Sequence, residues 1–154
     1  MSSNRLGVFV SYSHDDEVWL KKVEVYIGPL IREQRVDLWV DTRIKAGQRW
    51  RKEIRDALSR ARVAVLLISG PFYASKFIAE DELPPLLEAE EKQGLVILGV
   101  HVGHSLFDLD QRLRDFQTVN SPDRPLVSLS EGEQQEVLVK LARRIHELAQ
   151  PPNP

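Results

Sequence analysis

The chain has 154 residues, a formal net charge of −2 and no cysteine. The length suits one domain with a sizeable core, and the charge argues against a dedicated nucleic-acid surface, which is normally strongly basic. The lack of cysteine excludes disulfides, a thiol nucleophile and cysteine-ligated zinc, and it is compatible with a cytoplasmic location, which we expect.

Membrane association is not expected. No apolar run approaches the length that spans a bilayer, and the first residues lack the hydrophobic core of a signal peptide.

The first strand and helix are predicted near the start of the chain. Leu6–Val10 is a short apolar run typical of a strand that is buried on both faces. The polar cluster 11–16 follows with several possible N-caps. A helix should come next, with Gly28-Pro29 kinking or splitting it. Its predicted buried face is Val18, Trp19, Val23, Tyr26, Ile27, Leu30 and Ile31.

Two more strands and a helix are predicted before residue 70. Val36–Val40 indicates a second strand, and residues 41–48 indicate a loop. Val63–Ser69, the most hydrophobic run of the chain, predicts the third strand. The helix between them is marked by Trp50, Ile54, Ala57, Leu58 and Ala61.

The stretch 69–83 places three adjacent acids among apolar residues. At helical spacing, Glu82 shares a row with Ile78 and Leu86, whereas Glu80 shares a row with Lys76. A carboxylate beside apolar surface is either poorly placed or useful, because desolvation raises its proton affinity. The competing interpretation is a solvated, acidic helix start. Since proline suits a first turn, Pro84 predicts that Glu82 lies at a helix entrance.

The last part of the chain predicts two strands and a helix. Leu95–Val102 indicates the fourth strand, and residues 103–125 indicate a loop with a short helix. Leu126–Leu129 is the predicted fifth strand. Ser130-Glu131-Gly132-Glu133 is a variant capping box. The apolar stripe of the last helix is Val137, Leu138, Leu141, Ile145 and Leu148.

Strands that alternate with helices predict an α/β fold. Five such units suit a flavodoxin-like, doubly wound, five-stranded parallel sheet of order 2-1-3-4-5, flanked by helices. Ligands bind such sheets beyond the carboxyl ends of the strands, near the switch point between strands 1 and 3. The segments 11–16, 41–50 and 69–83 should emerge there, so the acid cluster lies where a site is expected.

Several familiar sites are excluded by residue type. The third strand ends without the aspartate that a phosphorelay receiver needs, and no G-x-G-x-x-G or Walker A loop occurs. His101-x-x-His104 has the spacing of a metal pair but no obvious third ligand. We therefore expect structural roles for these histidines and no metal site.

The combined pattern resembles the Toll/interleukin-1 receptor (TIR) domain, particularly its bacterial members. The resemblance runs through residues 5–149; residues 150–154 indicate a proline-rich linker or an arbitrary chain end. Its motifs are Val8-Phe9-Val10-Ser11-Tyr12-Ser13 with Asp15-Asp16, then Leu38-Trp39-Val40-Asp41 through Ala46-Gly47 (the "BB loop"), Trp50 with Ile54 and Ala57-Leu58, and Val65–Ser69 with Pro71, Tyr73, Ser75 and Glu82-Leu83.

The resemblance implies one of two functions. Some TIR domains cleave the nicotinamide–ribose bond of NAD⁺ with a glutamate that follows strand 3, giving ADP-ribose or a cyclic isomer, and act in defence or cell-death signalling. Glu82 looks like that glutamate, with Glu80 as the fallback. NAD⁺ is then a substrate, and no prosthetic group is expected. Other TIR domains only assemble signalling complexes.

The resemblance also implies contacts with NAD⁺ and with other copies. The candidate substrate-binding residues are Tyr12, Ser13, Asp41, Arg43, Phe72, Tyr73 and Phe77. Self-association is expected through the BB loop, Asp41–Trp50. The loop cations Arg43, Lys45 and Arg49 fit a pyrophosphate, a partner's acidic face or plain solvation. Trp39 is also a candidate wall residue of the site, although the core is the better interpretation for both Trp39 and Trp50.

Overall fold

The computed structural model describes residues 5–40 and 50–149. Within them, five parallel strands form one sheet in the order β2-β1-β3-β4-β5. The strands are β1 (Leu6–Ser11), β2 (Val36–Val40), β3 (Ala61–Ile68), β4 (Val96–His101) and β5 (Gln117–Thr118). The predicted fold class and strand order are confirmed.

Helices connect the strands. The α-helices are α1 (Glu17–Arg32), α2 (Trp50–Arg60), α3 (Gly70–Ala74), α4 (Leu83–Gln93) and α5 (Glu131–Ala149). Short 3₁₀ helices span His14–Asp16, Phe107–Leu109 and Leu126–Ser128, and a π turn spans Ile78–Glu82. In the part of the chain that these ranges cover, no helix is both long and apolar enough to cross a bilayer.

Two apolar clusters cover the two faces of the sheet. Strand β3 contributes to both, because successive side chains of a strand point to opposite faces. Val63, Val65 and Leu67 belong to the cluster that includes residues of α1 and α5. The intervening side chains belong to the cluster that includes residues of α2 and α4. This double burial explains the continuous hydrophobic run from which β3 was predicted.

The predicted buried face of α1 was partly wrong. Leu20, Val23 and Ile27 are buried, whereas Val18 is 64% exposed and Ile31 is 39% exposed. The helix also continues past Gly28-Pro29 to Arg32 instead of splitting. Pro29 lacks an N–H and therefore removes one backbone hydrogen bond, to the carbonyl four residues earlier, and only three residues of the helix follow it.

The fifth strand was predicted in the wrong segment. Leu126–Ser128 is a 3₁₀ helix, with the Leu129 N–H bonded to the Leu126 carbonyl, and the edge strand is Gln117–Thr118. Thr118 pairs with Gly99 of β4, where an added Cβ would lie 2.8 Å from the threonine Cγ2. The apolar run reflects the burial of Leu126 in the core and not a strand, since Leu126 is fully buried while Val127 is exposed.

The predicted capping box of α5 is confirmed. Ser130 Oγ accepts the Glu133 N–H at 3.2 Å, and the Glu133 carboxylate accepts the Ser130 N–H at 3.0 Å. The two bonds satisfy backbone donors that the helix start leaves open.

Candidate functional site

The carboxyl ends of β1 and β3 lie side by side at the switch point of the sheet. Ser11, the last residue of β1, pairs with Leu66 of β3. The chain leaves β1 through the 3₁₀ helix His14–Asp16 and leaves β3 through α3. Two of the three predicted site segments therefore meet at this edge, and residues 41–49 of the third lie outside the described residues.

A buried hydrogen bond joins these two segments. The Ser11 hydroxyl donates to Glu82 Oε1 at 2.5 Å, across 71 positions of sequence. Ser11 is 1% exposed and Glu82 is 2% exposed. The carboxylate thus lies below the surface and contacts the first predicted site segment.

Glu82 owes its position to the π turn. Ser75 Oγ accepts the Ile78 N–H at 3.2 Å, and the Leu83 N–H then bonds to the Ile78 carbonyl five residues back. Ile78, Glu82 and Leu86 are all buried, as the predicted row requires. Glu82 is also the N-cap residue directly before α4, which confirms the predicted helix entrance. Such π turns are rare and are frequent at functional sites.

The other two acids of the cluster point elsewhere. Glu80 is exposed and Asp81 is half-buried. Both line a groove of about 620 Å³ between α2 and α4, together with Arg55. Glu80 and Glu82 therefore occupy different faces, although they are two residues apart.

A cavity of about 390 Å³ lies between the segments that follow β1 and β3. It brings together three of the predicted site residues, Tyr12, Ser13 and Phe77. The Tyr12 ring stacks on His14 with a centroid distance of 5.7 Å. The remaining lining residues are His14, Asp15, Pro71, Ala74, Ser75 and Ile78. The aromatic side chains in this lining suit a planar organic ligand.

The other predicted residues are placed differently. Phe72 is 1% exposed and packs in the core cluster that includes residues of α2 and α4. The Tyr73 hydroxyl is buried near Asp110, and burial, with a smaller effect of that carboxylate, raises the pKa of Tyr73. Asp41 and Arg43 lie outside the described residues.

A second buried carboxylate at this edge was missed from the sequence. The Ser69 hydroxyl donates to Asp16 Oδ2 and accepts the Phe72 N–H at 3.0 Å. Asp16 is 8% exposed. Burial raises the pKa of Asp16, the Ser69 hydrogen bond opposes that rise, and the charge of Asp15 adds a smaller increase. The available signal was a serine at the carboxyl end of each of two neighbouring strands.

The two histidines of the H-x-x-H spacing have separate surroundings. His101 is 1% exposed and packs edge-to-face on Phe107, with ring centroids 4.6 Å apart. Burial lowers the pKa of His101 to about 4. His104 is exposed, and its Nε2 lies 3.2 Å from Ser128 Oγ. Among residues 5–40 and 50–149, no three His, Asp or Glu side chains group as metal ligands.

Comparison with known proteins places the fold. The structure resembles the TIR domain of the Toll-related receptor TRR-2 from Hydra magnipapillata, with a TM-score of 0.56, 13% identity, and coverage of 94% of this chain and 99% of that one. It also resembles a prokaryotic SEFIR domain, with a TM-score of 0.55, 15% identity, and coverage of 97% and 99%. At these identities the likeness shows the fold alone.

Sequence comparison identifies the family. Protein y4lF of Sinorhizobium fredii is 29% identical over 94 residues, which are 61% of this chain. The chain spans only 29% of the length of that relative. The family model of the TIR domain matches residues 8–139, which include most of β1, the other four strands, the Ser11–Glu82 pair and the residues that line the cavity. The chain therefore belongs to the TIR domain family.

Proposed function

We propose that this TIR domain cleaves the nicotinamide–ribose bond of NAD⁺, with Glu82 as the catalytic carboxylate. The observation that carries the proposal is the buried Glu82 side chain, which Ser11 fixes at the switch point of the sheet. Ligands of doubly wound sheets bind at this point. The family resemblance noted above implies a glutamate in the segment that follows strand 3, and Glu82 lies there.

One carboxylate is enough for this reaction. Loss of nicotinamide from C1 of the ribose passes through an oxocarbenium-like transition state, as in glycoside cleavage. A fixed negative charge stabilises the positive charge that develops on the sugar. Nicotinamide leaves as a neutral base and needs no general acid. Water then attacks C1, so that the products are nicotinamide, ADP-ribose and a proton, or the adenine closes the ring to give a cyclic isomer.

In this proposal the substrate contacts come from the cavity between the segments that follow β1 and β3, which has Ile78 but not Glu82 among its described lining residues. Among the residues that line it, Tyr12 and Phe77 offer aromatic surface and Ser13 offers a hydroxyl. Asp41 and Arg43 remain predicted contacts to the ribose and pyrophosphate. Phe72 and Tyr73 are not among the described lining residues of the cavity and are given no contact with NAD⁺ in this proposal. Ile78 connects the two features, because it lines the cavity one turn before Glu82.

Self-association through the BB loop, Asp41–Trp50, completes the proposal. We expect turnover to rise when copies assemble, as in defence or cell-death signalling, in the cytoplasm, where NAD⁺ is available. Specific activity that rises with protein concentration would support activation by self-association.

One observation favours the alternative, a non-catalytic TIR module that assembles signalling complexes. Glu82 is only 2% exposed, and a carboxylate that touches substrate must be reachable. In the alternative, the Ser11–Glu82 hydrogen bond only ties the end of β1 to the start of α4. The hydrolase proposal requires a side chain of the lining, such as Ile78, to turn aside so that NAD⁺ reaches Glu82 while the backbone of the two walls keeps its separation.

NAD⁺ consumption decides between them. The intact chain would be assayed at high concentration or crowded on beads, beside Glu82→Gln, whose amide oxygen still accepts the Ser11 hydrogen bond. Glu88→Gln, an exposed change on α4, is the matched control. We expect the wild type and the control to consume NAD⁺ and Glu82→Gln to lose at least about 99% of the rate.

The outcomes separate the assignments. Turnover that survives Glu82→Gln but disappears in Glu80→Gln would move the catalytic role to Glu80. Turnover that survives both changes would remove the acid cluster from the mechanism. No turnover in any assembled state favours the interaction module.

A further inference from the structure

We infer that Asp16 is a positioning residue of the NAD⁺ site, acting through Ser69 to hold the two walls of the cavity at a fixed separation. The inference rests on the proposed function, because the ligand concerned is NAD⁺. It assigns a role to a buried carboxylate that the proposed cleavage step does not use.

The contact is a relay between two segments that are far apart in sequence. Ser69 donates its hydroxyl proton to the Asp16 carboxylate, 53 positions away, and its oxygen accepts the Phe72 N–H at 3.0 Å. Both side chains are buried, with Asp16 8% and Ser69 2% exposed. The carboxylate therefore orients the hydroxyl that caps the first turn of α3.

The same two segments form the walls of the cavity. Residues 12–15, directly before Asp16, form one wall, and Pro71, Ala74 and Ser75, shortly after Ser69, begin the other. The relay thus joins the two segments that carry the walls, although neither Asp16 nor Ser69 is among the described residues that line the cavity. Without the relay, the separation of the walls varies and only part of the population has the separation that fits NAD⁺. The apparent affinity for NAD⁺ is then lower.

The chemistry of Asp16 suggests more than a stabilising role. Burying a carboxylate is unfavourable, and the raised pKa of Asp16 records that cost. An apolar residue would fill the space without it. A charged hydrogen-bond acceptor fixes direction as well as distance, which is what a wall of a binding site requires.

The test is the affinity of the chain for NAD⁺. Isothermal titration with NAD⁺ would use the intact chain carrying Glu82→Gln, which suppresses turnover. Onto this background are placed Asp16→Ala, Asp16→Asn, Ser69→Ala and the double change Asp16→Ala with Ser69→Ala. Ser130→Ala, which removes the N-cap of the distant helix α5, is the matched control.

The expected pattern is specific. Asp16→Ala and Ser69→Ala each weaken NAD⁺ binding about tenfold, and the double change weakens it no further, because both remove the same relay. Asp16→Asn stays within about threefold of its background, since its amide oxygen accepts the Ser69 hydroxyl. Ser130→Ala leaves the dissociation constant unchanged while lowering the melting temperature.

Several results would overturn the inference. These are unchanged affinity in Asp16→Ala or Ser69→Ala, additive effects of the two changes, or equal weakening by Ser130→Ala, which would indicate general destabilisation. If Asp16→Ala does not fold, the comparison of NAD⁺ affinity between Ser69→Ala and Asp16→Asn decides, and equal affinities would overturn the inference. A chain that does not bind NAD⁺ at all overturns this inference and the proposed function together. A chain whose wild type binds NAD⁺ without turnover overturns the hydrolase proposal only.

Discussion

Ser11 and Glu82 lie 71 positions apart, and their side chains form a 2.5 Å hydrogen bond inside the protein. The serine ends β1, and the acid ends the π turn that leads into α4. Two backbone elements that share no local sequence are thereby fixed at one point. Without the Ser11 hydroxyl, the buried carboxylate has one hydrogen bond fewer to offset its desolvation.

Ser11→Ala should therefore lower both stability and activity. We expect a loss of about 1–3 kcal/mol in the free energy of unfolding, because a buried carboxylate loses the hydrogen bond from Ser11. On the proposed function, NAD⁺ turnover should fall about tenfold as Glu82 loses its orientation. Urea denaturation and the NAD⁺ assay measure the two effects. Ser59→Ala, at an exposed position, is the control; equal behaviour of the two variants would contradict the role of the bond.

Gly7→Ala should destabilise the packing of β1. An added Cβ would lie 2.5 Å from Trp39 Cζ3 and 2.6 Å from the Arg60 carbonyl oxygen, so β2 or the end of α2 must shift. We expect a loss of about 1–3 kcal/mol. Gly132→Ala is a matched control, because its Cβ meets nothing within 4 Å and alanine favours the helix by about 1 kcal/mol. Thermal unfolding should move the two variants in opposite directions.

His101 should make stability depend on pH between about 6.5 and 4. Burial lowers the pKa of His101 to about 4 in the folded chain, whereas its ordinary value is 6.5. Between these two pH values the unfolded chain binds a proton at His101 and the folded chain does not, so protonation favours unfolding. The contribution is complete above pH 6.5 and is lost as pH falls, amounting to roughly 1–3 kcal/mol.

The measurement is urea denaturation of the wild type and of His101→Gln at pH 7, 5.5 and 4.5. Protonation of the carboxylates affects both chains equally, so it cancels in the difference between their free energies of unfolding. As the pH falls, the free energy of unfolding should decrease more for the wild type than for the variant. A constant difference would mean that His101 takes up its proton equally in both states.

Ser130→Ala should cost about 1 kcal/mol, because it removes one half of the capping box. The Glu133 carboxylate keeps its contact with Arg124 at 2.8 Å, so the helix should shorten at its first turn rather than dissociate. Hydrogen exchange is expected to accelerate in the first turn of α5 only. Exchange that accelerates along the whole helix would contradict this picture.

The fold was predictable because its signals are repeated and strong. The double burial of β3 produced an unbroken apolar run, and the reciprocal bonds of Ser130 and Glu133 are local in sequence. The edge strand was not predictable, since Gln117 and Thr118 pair with β4 without an apolar pattern of their own. Tertiary placement beside Gly99 decided their structure.

The candidate site was predicted in position more than in detail. The burial of Glu82 followed from its row with Ile78 and Leu86. Its partner Ser11 and the relay from Asp16 to Ser69 did not follow, because hydrogen bonds across 71 and 53 positions leave no periodic trace. Residue type alone also could not show that Phe72 packs in the core.

The π turn has a consequence for comparing this chain with others. It accommodates one residue more than a regular helix between Ser75 and α4, yet Ile78, Glu82 and Leu86 all remain on the buried side. A relative whose helix is regular would hold its acid in the same place with one residue fewer. A search pattern that fixes the spacing between the end of β3 and the acid would miss that relative, and an ungapped alignment would pair Glu82 with its neighbour. The equivalence of acids in this family is therefore to be judged by their hydrogen-bond partner at the end of β1, and not by counting residues.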